Sequence, residues 1–274
     1  RECPFRCLMC DLWQYTTEER VPIGAIPAQI EFALSKLQSQ RVSNATQIKL
    51  YNSGNFFDAQ AIPPEDWARI GELTRGFETV IVENHPRLCG KKCVAFRKLL
   101  GGELEIALGL ETIHPDVLPR LNKGMSVDDF AKAVEFLNGN GIRTRAFILL
   151  RPPFLSEAEG REWALKSIEY AFSRGVNCCS VIPTRGGNGI MEQLALDGEF
   201  ERPRLSSLEW ILEQGLKVVA ERAGGERVFV DLWDLERFRE CPECFEGRRV
   251  RLEEMNRTQK MTPGIFCACG GSYD

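Results

Sequence analysis

The sequence predicts an α/β chain of parallel βα units, and three observations carry the prediction. Six short apolar runs of strand length recur along the chain, at residues 46–51, 78–83, 104–111, 144–150, 178–183 and 227–232. Segments of helical period lie between them. The residues that follow the runs are polar, Gly or Pro, as expected where a strand hands over to a helix. Strand and helix in steady alternation imply a parallel sheet with crossover helices. At 274 residues the chain is long enough for one barrel-type domain or two smaller domains.

The elements follow in order. "PAQIEFALSKLQ" (27–38) reads as a helix with Pro27 near its start, before the strand "TQIKLY" (46–51). A second helix spans 64–73 and is entered through Pro63 and Pro64, before the strand "ETVIVE" (78–83). "LEIALGLE" (104–111) is followed by a helix over 126–138, which opens "SVDDF" with Ser126 as N-cap. "TRAFILL" (144–150) precedes a helix over 156–173, which opens with Ser156 and Glu159 in capping-box spacing. "CCSVIP" (178–183), a helix over 206–222 and "RVFVDL" (227–232) complete the alternation.

The segments after five strands are "NSGNFFD", "NHPRL", "TIHP", "RPPF" and "TRGGNG". Any one of them is an ordinary loop. Five with potential ligand groups point to a site at the carboxyl edge of the sheet, where parallel α/β folds place their chemistry.

Composition bounds the function. With 43% hydrophobic and 27% charged residues and a net charge of −4, the chain is an ordinary globular protein without a global basic footprint for nucleic acid. No apolar run approaches the roughly 18 residues of a membrane span. The first cysteine is the third residue, so a further strand is expected upstream of Arg1. The cysteine count is 11, an odd number in a chain longer than most disulfide scaffolds. This favours a reducing, cytoplasmic compartment and metal-binding thiols.

Cys3, Cys7 and Cys10 fall within eight residues. Three thiolates on one loop can hold three irons of a [4Fe–4S] cluster and leave the fourth open. They also suit zinc with a remote fourth ligand, or a reactive or structural thiol group. At the other end, Cys241, Cys244, Cys267 and Cys269 form C-x2-C and C-x-C pairs, which suit tetrahedral zinc or a second cluster. Between the pairs lie Arg248, Arg249, Arg251, Arg257 and Lys260. Such a flap could touch RNA phosphates, but Glu246, Glu253 and Glu254 dilute it towards a solvated mixed-charge helix.

C-x3-C-x2-C near the start of a βα-alternating chain resembles the radical S-adenosylmethionine (SAM) superfamily. "IKLYNSGNFFD", "VIVENHP", "ALGLET", "LNKGMSVDDFAKAVEFL" and "AFILLRPPFLSE" resemble the branch that holds the elongator catalytic subunit and the radical-SAM subunit of archaeosine synthase. The resemblance implies a partial (β/α)6 TIM-type barrel over 1–236, with its cluster loop after the first strand. A small Cys-rich metal-binding tail over 237–274 follows. It implies that Cys3, Cys7 and Cys10 hold a [4Fe–4S] cluster whose open iron binds SAM. Met9 stands where an aromatic residue usually packs near the adenine. Ser53, Gly54 and Asn55 stand where many members carry a Gly-Gly-Glu motif that holds the methionine amino group. Glu83 and Glu111, at strand ends, would approach the ribose or the amino-acid part. Arg151 would hold the carboxylate, with an ion pair to Glu83 or Glu111 as the alternative. Pro183, with Ile182, would lie against the adenine, with a plain core role as the simpler account.

The implied activity is reductive cleavage of SAM to a 5′-deoxyadenosyl radical, which abstracts hydrogen from a substrate. A tRNA base is one candidate, and a small metabolite or a partner protein is another. An electron donor such as flavodoxin or ferredoxin is the expected partner. Two other readings stay open at this stage: a non-catalytic zinc or iron–sulfur protein that binds nucleic acid or a partner, and a conventional barrel enzyme such as a zinc hydrolase. His85 and His114 both precede Pro and read as loop or capping residues, with His85 the candidate base if either is one. Cys89, Cys93, Cys178 and Cys179 read as packing residues. Trp13 and Tyr15 are expected to shield the core beside the cysteine loop.

Overall fold

The protein is described by a computed structural model, in which residues 1–39 and 45–269 are placed. Six strands form one sheet: β1 (Gln47–Leu50), β2 (Thr79–Asn84), β3 (Glu103–Glu111), β4 (Arg143–Leu150), β5 (Cys178–Pro183) and β6 (Arg227–Val230). Each falls on one of the six apolar runs. Their order in the sheet is the order in the chain, β1-β2-β3-β4-β5-β6. Gln47 pairs with Thr79, Thr79 with Glu103, and Cys178 with Arg227, all in parallel register. Sequential parallel winding is the topology of a half-barrel, as expected.

The helices are α1 (Ala25–Ser39), α2 (Trp67–Leu73), α3 (Lys91–Arg97), α4 (Val117–Arg120), α5 (Val127–Gly139), α6 (Glu157–Ser173), α7 (Ile190–Leu196), α8 (Leu205–Ala220) and α9 (Pro242–Thr258). α6 starts at Ser156 with its full capping box: Ser156 accepts from the Glu159 N–H, and Glu159 answers the Ser156 N–H at 2.8 Å. The helix expected over 64–73 begins as a 3-10 turn over Pro64–Asp66 and becomes α-helical only at Trp67. α3, α4 and α7 have seven, four and seven residues, too few for a period to stand out in the sequence.

The fold divides into two compact units. One holds Arg1–Arg6, Cys10–Gly109 and Val127–Arg145; the other holds Cys7–Met9, Leu110–Ser126 and the described chain from Ala146 onward. In the first, Phe56, Phe57, Trp67 and Phe96 form a buried aromatic cluster. Phe56 and Phe96 lie 4.7 Å apart by ring centroid, and Phe57 and Trp67 5.7 Å apart, edge to face. This cluster fixes the segment that follows β1. In the second unit, Val117, Leu121, Leu149 and Leu155 form an apolar cluster joined by Leu8, Met9, Phe154, Trp163 and Ile182.

Trp13 and Tyr15 do not shield the core. They lie on a 3-10 turn (Leu12–Tyr15) with no buried residue, at 50% and 75% exposure. A four-residue turn has no face long enough to bury both rings. No described helix is long and apolar enough to cross a membrane.

Candidate cofactor and metal sites

The N-terminal cysteines are half-buried; Cys3 and Cys10 belong to the first unit and Cys7 to the second. In the first unit, the Asn55 amide Nδ2 donates to Cys3 Sγ at 3.0 Å. Burial, against two backbone hydrogen bonds, raises the Cys10 thiol, with Asp11 and Cys3 adding to the effect. In the second unit, the segment that carries Cys7 is pinned on both sides of Leu8. The Leu8 N–H donates to the Leu121 carbonyl at 2.8 Å, and the Asn188 amide donates to the Leu8 carbonyl at 2.8 Å.

The segment after β1 suits a charged ligand. Asn52 Oδ1 is buried and without a partner, an orphan acceptor that an ammonium would satisfy. Beside it, a Cβ on Gly54 would rest in van der Waals contact with Asn52 Nδ2 at 3.7 Å and Cys3 Cβ at 3.8 Å, and the Gly54 N–H donates to the Asn52 carbonyl at 2.6 Å. Ser53 is half-buried. Asn55 is buried and spends its amide inside the protein, because its Oδ1 accepts from the His85 N–H at 2.7 Å. The Phe56 N–H donates to the Glu83 carbonyl at 2.9 Å, which ties the segment to the end of β2. The Glu83 side chain is half-buried.

In the second unit, Glu111 ends β3 and pairs with Lys123 at 2.6 Å, both side chains about nine-tenths buried. Arg151 follows β4, and its ion pairs among the described residues are with Glu157 and Glu201. Its guanidinium donates to Glu157 at 2.7 Å, to Glu201 and to the Arg202 carbonyl. Glu111 (φ 63°) and Arg151 (φ 53°) both adopt the left-handed backbone, which costs a non-glycine residue about 1–3 kcal/mol and concentrates at functional sites. Gly160 lets α6 approach Arg151: a Cβ there would come within 2.7 Å of the Arg151 Cβ. Pro183 ends β5 buried, and its neighbour Ile182 packs in the cluster that holds Met9.

Both histidines cap. His85 Nδ1 accepts from the Arg87 N–H at 3.2 Å, and His114 Nδ1 accepts from the Asp116 N–H at 3.1 Å. Cys93, Cys178 and Cys179 are fully buried. Cys89 is half-buried, and a hydrogen bond with Cys93 pushes its thiol up while lowering that of Cys93.

The tail cysteines form one site. Their four sulfurs lie within 4.8 Å of one another, with Cys241–Cys267 and Cys244–Cys269 at 3.8 Å each. A tetrahedral ion with bonds of about 2.3 Å sets its sulfurs about 3.8 Å apart. A cubane spreads its thiolates over four separate corners, farther apart. The donor set therefore fits a single thiophilic ion. Backbone N–H groups of Cys244 and Glu243, at the start of α9, hold the Cys241 thiol down at about 7.

The arginines beside this site correct the sequence reading of α9. Arg248 and Arg251 are buried, not part of a solvated mixed-charge face. Arg248 donates Nε to Cys244 Sγ at 3.3 Å and pairs with Glu209 of α8. Arg251 reaches Glu209 at 3.0 Å, as well as Glu213 and the Thr262 and Pro263 carbonyls. Arg249 pairs with Glu246 and Glu253. The guanidiniums of Arg248, Arg249 and Arg251 are spent on carboxylates.

Comparison with solved structures decides the fold. The chain aligns with Streptococcus suis SuiB bound to S-adenosylmethionine at a TM-score of 0.61, 15% identity, over 84% of this chain and 48% of that one. It aligns with Methanocaldococcus infernus Elp3 at 0.61, 17% identity, over 84% and 59%. The fold is that of the radical SAM enzymes. Methylornithine synthase (PylB) matches at 0.54, 14% identity, over 96% of this chain and 80% of that one. No family model matches. Among curated sequences, an archaeosine synthase subunit beta from Methanosarcina acetivorans is 30% identical over 221 residues, 76% of this chain and 61% of the relative. The one from Thermococcus kodakarensis is 30% identical over 168 residues, 59% and 51%. The chain thus spans about half to three-fifths of the length of these two relatives. An uncharacterized protein of Methanocaldococcus jannaschii is 25% identical over 96% of this chain and 74% of its own length.

Sequence reasoning missed three partners. Lys123, which neutralises Glu111, stands in the run "LNKGMS" as an ordinary surface lysine would. Glu209, which faces two arginines, is one acid in a helix of mixed composition. Phe5 of the cysteine loop stacks on His85 at 3.5 Å; the only available signal was an aromatic between two cysteines.

Proposed function

We propose that this chain is a radical SAM enzyme in which Cys3, Cys7 and Cys10 hold a [4Fe–4S] cluster with one iron free of protein thiolate. The observation that carries the reading is the C-x3-C-x2-C triad on a chain with the radical SAM fold. When bound and reduced, the cluster supplies the electron that cleaves SAM to methionine and a 5′-deoxyadenosyl radical, the hydrogen-abstracting species. The residues of the chain bind and orient. Asn52 Oδ1 and the backbone at Gly54, with Ser53, receive the SAM ammonium. Glu83 and Glu111 serve the ribose or amino-acid part, and Met9, Ile182 and Pro183 cover the adenine. Arg151, held by Glu157 and Glu201, receives the carboxylate by exchanging a partner.

The substrate we propose is a tRNA base, on the likeness to archaeosine synthase β subunits. An electron donor of the flavodoxin or ferredoxin type and a partner subunit complete the system. The tail site we assign to zinc, because its sulfur spacing suits one ion. The test is anaerobic reconstitution with iron, sulfide, SAM and dithionite. The reading expects 5′-deoxyadenosine, lost on Cys3→Ala, Cys7→Ala or Cys10→Ala. A yield untouched by all three changes overturns it. Hydrogen transfer into 5′-deoxyadenosine from total tRNA, against small-molecule pools, decides the substrate.

A further inference from the structure

We infer that Asn55 is a positioning residue of the cluster, one that donates a hydrogen bond to the Cys3 thiolate and so raises the reduction potential. The inference rests on the cluster assignment above and adds a role that the motif alone does not contain. Asn55 is 4% exposed, so water does not compete for its amide.

The orientation of that amide follows from its two partners. The backbone N–H of His85 can only donate, so the atom facing it at 2.7 Å is the oxygen. The NH2 group is thereby turned to Cys3 Sγ, 3.0 Å away. A thiolate is an acceptor only, and the pair is complementary.

The residue is also held from both sides. The Phe56 N–H is tied to the Glu83 carbonyl, and the Phe57 N–H to Asn84 Oδ1 at 3.4 Å. The rings of Phe56 and Phe57 are locked in the aromatic cluster. On the other side of the contact, Phe5 stacks on His85 at 3.5 Å and 8°. Cys3 thus rests on Asn55, and Phe5, two residues on, rests on His85; Asn55 and His85 are themselves hydrogen-bonded. An outer partner this constrained fixes both the position and the electronics of a thiolate ligand.

The sign follows from charge. Reduction adds an electron to a cluster already negative, and a hydrogen bond to a ligand sulfur stabilises the more negative state. Removing the donor lowers the potential. Asn55→Asp keeps an oxygen for the His85 N–H but faces Cys3 with an acceptor. Asn55→Ala removes both bonds.

The experiment is redox titration of the reconstituted, SAM-free cluster, followed by electron paramagnetic resonance. For both variants we expect a negative shift of about tenfold in the reduction equilibrium, about 59 mV for one electron, and larger for Asn55→Asp than for Asn55→Ala. A variant that folds normally by circular dichroism yet holds less iron than wild type also supports the role, since Cys3 has lost its guide. Unshifted potentials with full iron in both variants overturn it. The unaltered protein gives an independent reading: deuterium exchange should move the iron–thiolate stretching bands in its resonance Raman spectrum, and unmoved bands overturn the hydrogen bond. Wild-type protein that takes up no cluster at this triad refutes the cluster assignment instead, a distinguishable failure.

Discussion

Glu209→Ala is the substitution whose cost can be worked most fully from the structure. The Glu209 side chain on α8 is 2% exposed and faces Arg248 and Arg251, themselves 6% and 4% exposed. Removing one partner of a buried ion pair costs about 3–5 kcal/mol, because the remaining charge is left in a medium that solvates it poorly. Arg251 keeps Glu213 and the carbonyls of Thr262 and Pro263, and Arg248 keeps the Cys244 sulfur. Those acceptors place the expectation at the lower end, about 3 kcal/mol. That is a large share of the roughly 5–15 kcal/mol that holds a domain together. The assay is denaturant unfolding of the metal-loaded protein, read by circular dichroism. A triple replacement, Glu209→Leu with Arg248→Met and Arg251→Leu, removes the three most buried charges, leaves only the more exposed Glu213 without its arginine, and should be less damaging than Glu209→Ala. A cost below about 1 kcal/mol for Glu209→Ala, or a triple variant as damaged as the single, would refute the reasoning from burial.

Other predictions follow the same residues. Chelation, or Cys244→Ser, should release one zinc per chain and loosen α9 from α8, read as faster amide exchange over Pro242–Thr258. Gly160→Ala should cost about 1–3 kcal/mol of stability, because the new methyl meets the Arg151 Cβ and backbone Cα within 2.8 Å at a buried position of α6; denaturant unfolding checks it. Ser156→Ala should cost about 1 kcal/mol in unfolding experiments by removing the α6 cap. The Ser156 side chain and N–H hold the Glu159 carboxyl below its usual range. Its contribution is therefore complete above the ordinary carboxylate pKa and lost as pH falls through the lowered value. The stability gap between wild type and Ser156→Ala should be constant above about pH 5 and narrow as pH falls below it.

The parts of this fold legible in the sequence were those with a repeating physical signal. Each of the six apolar runs became a strand of the sheet, and the Ser156–Glu159 spacing became the observed capping box. The tail thiols converged as their paired spacing implied. What escaped was set by partners distant in the chain. Arg248 and Arg251 read as a surface flap because nothing near them in sequence shows that Glu209, about 40 residues earlier, will meet them in the interior. Arg151 reads as a carboxylate holder, with an ion pair to Glu83 or Glu111 as the alternative, and nothing near it in sequence shows that Glu157 and Glu201 pair with it. Asn55 carried a legible polar group at a strand end, but its bond to Cys3 depends on a loop 52 residues earlier. Trp13 and Tyr15 stay exposed because aromatic character alone does not determine burial when the local element is a single turn.

The central claim is an iron at the N-terminal triad that no side chain of the protein occupies. Electron paramagnetic resonance of the reduced, reconstituted protein before and after addition of SAM tests it most directly. The account predicts a [4Fe–4S] signal that depends on Cys3, Cys7 and Cys10 and changes shape when SAM is added. A protein with no cluster at the triad, or one whose signal is indifferent to saturating SAM, would contradict it.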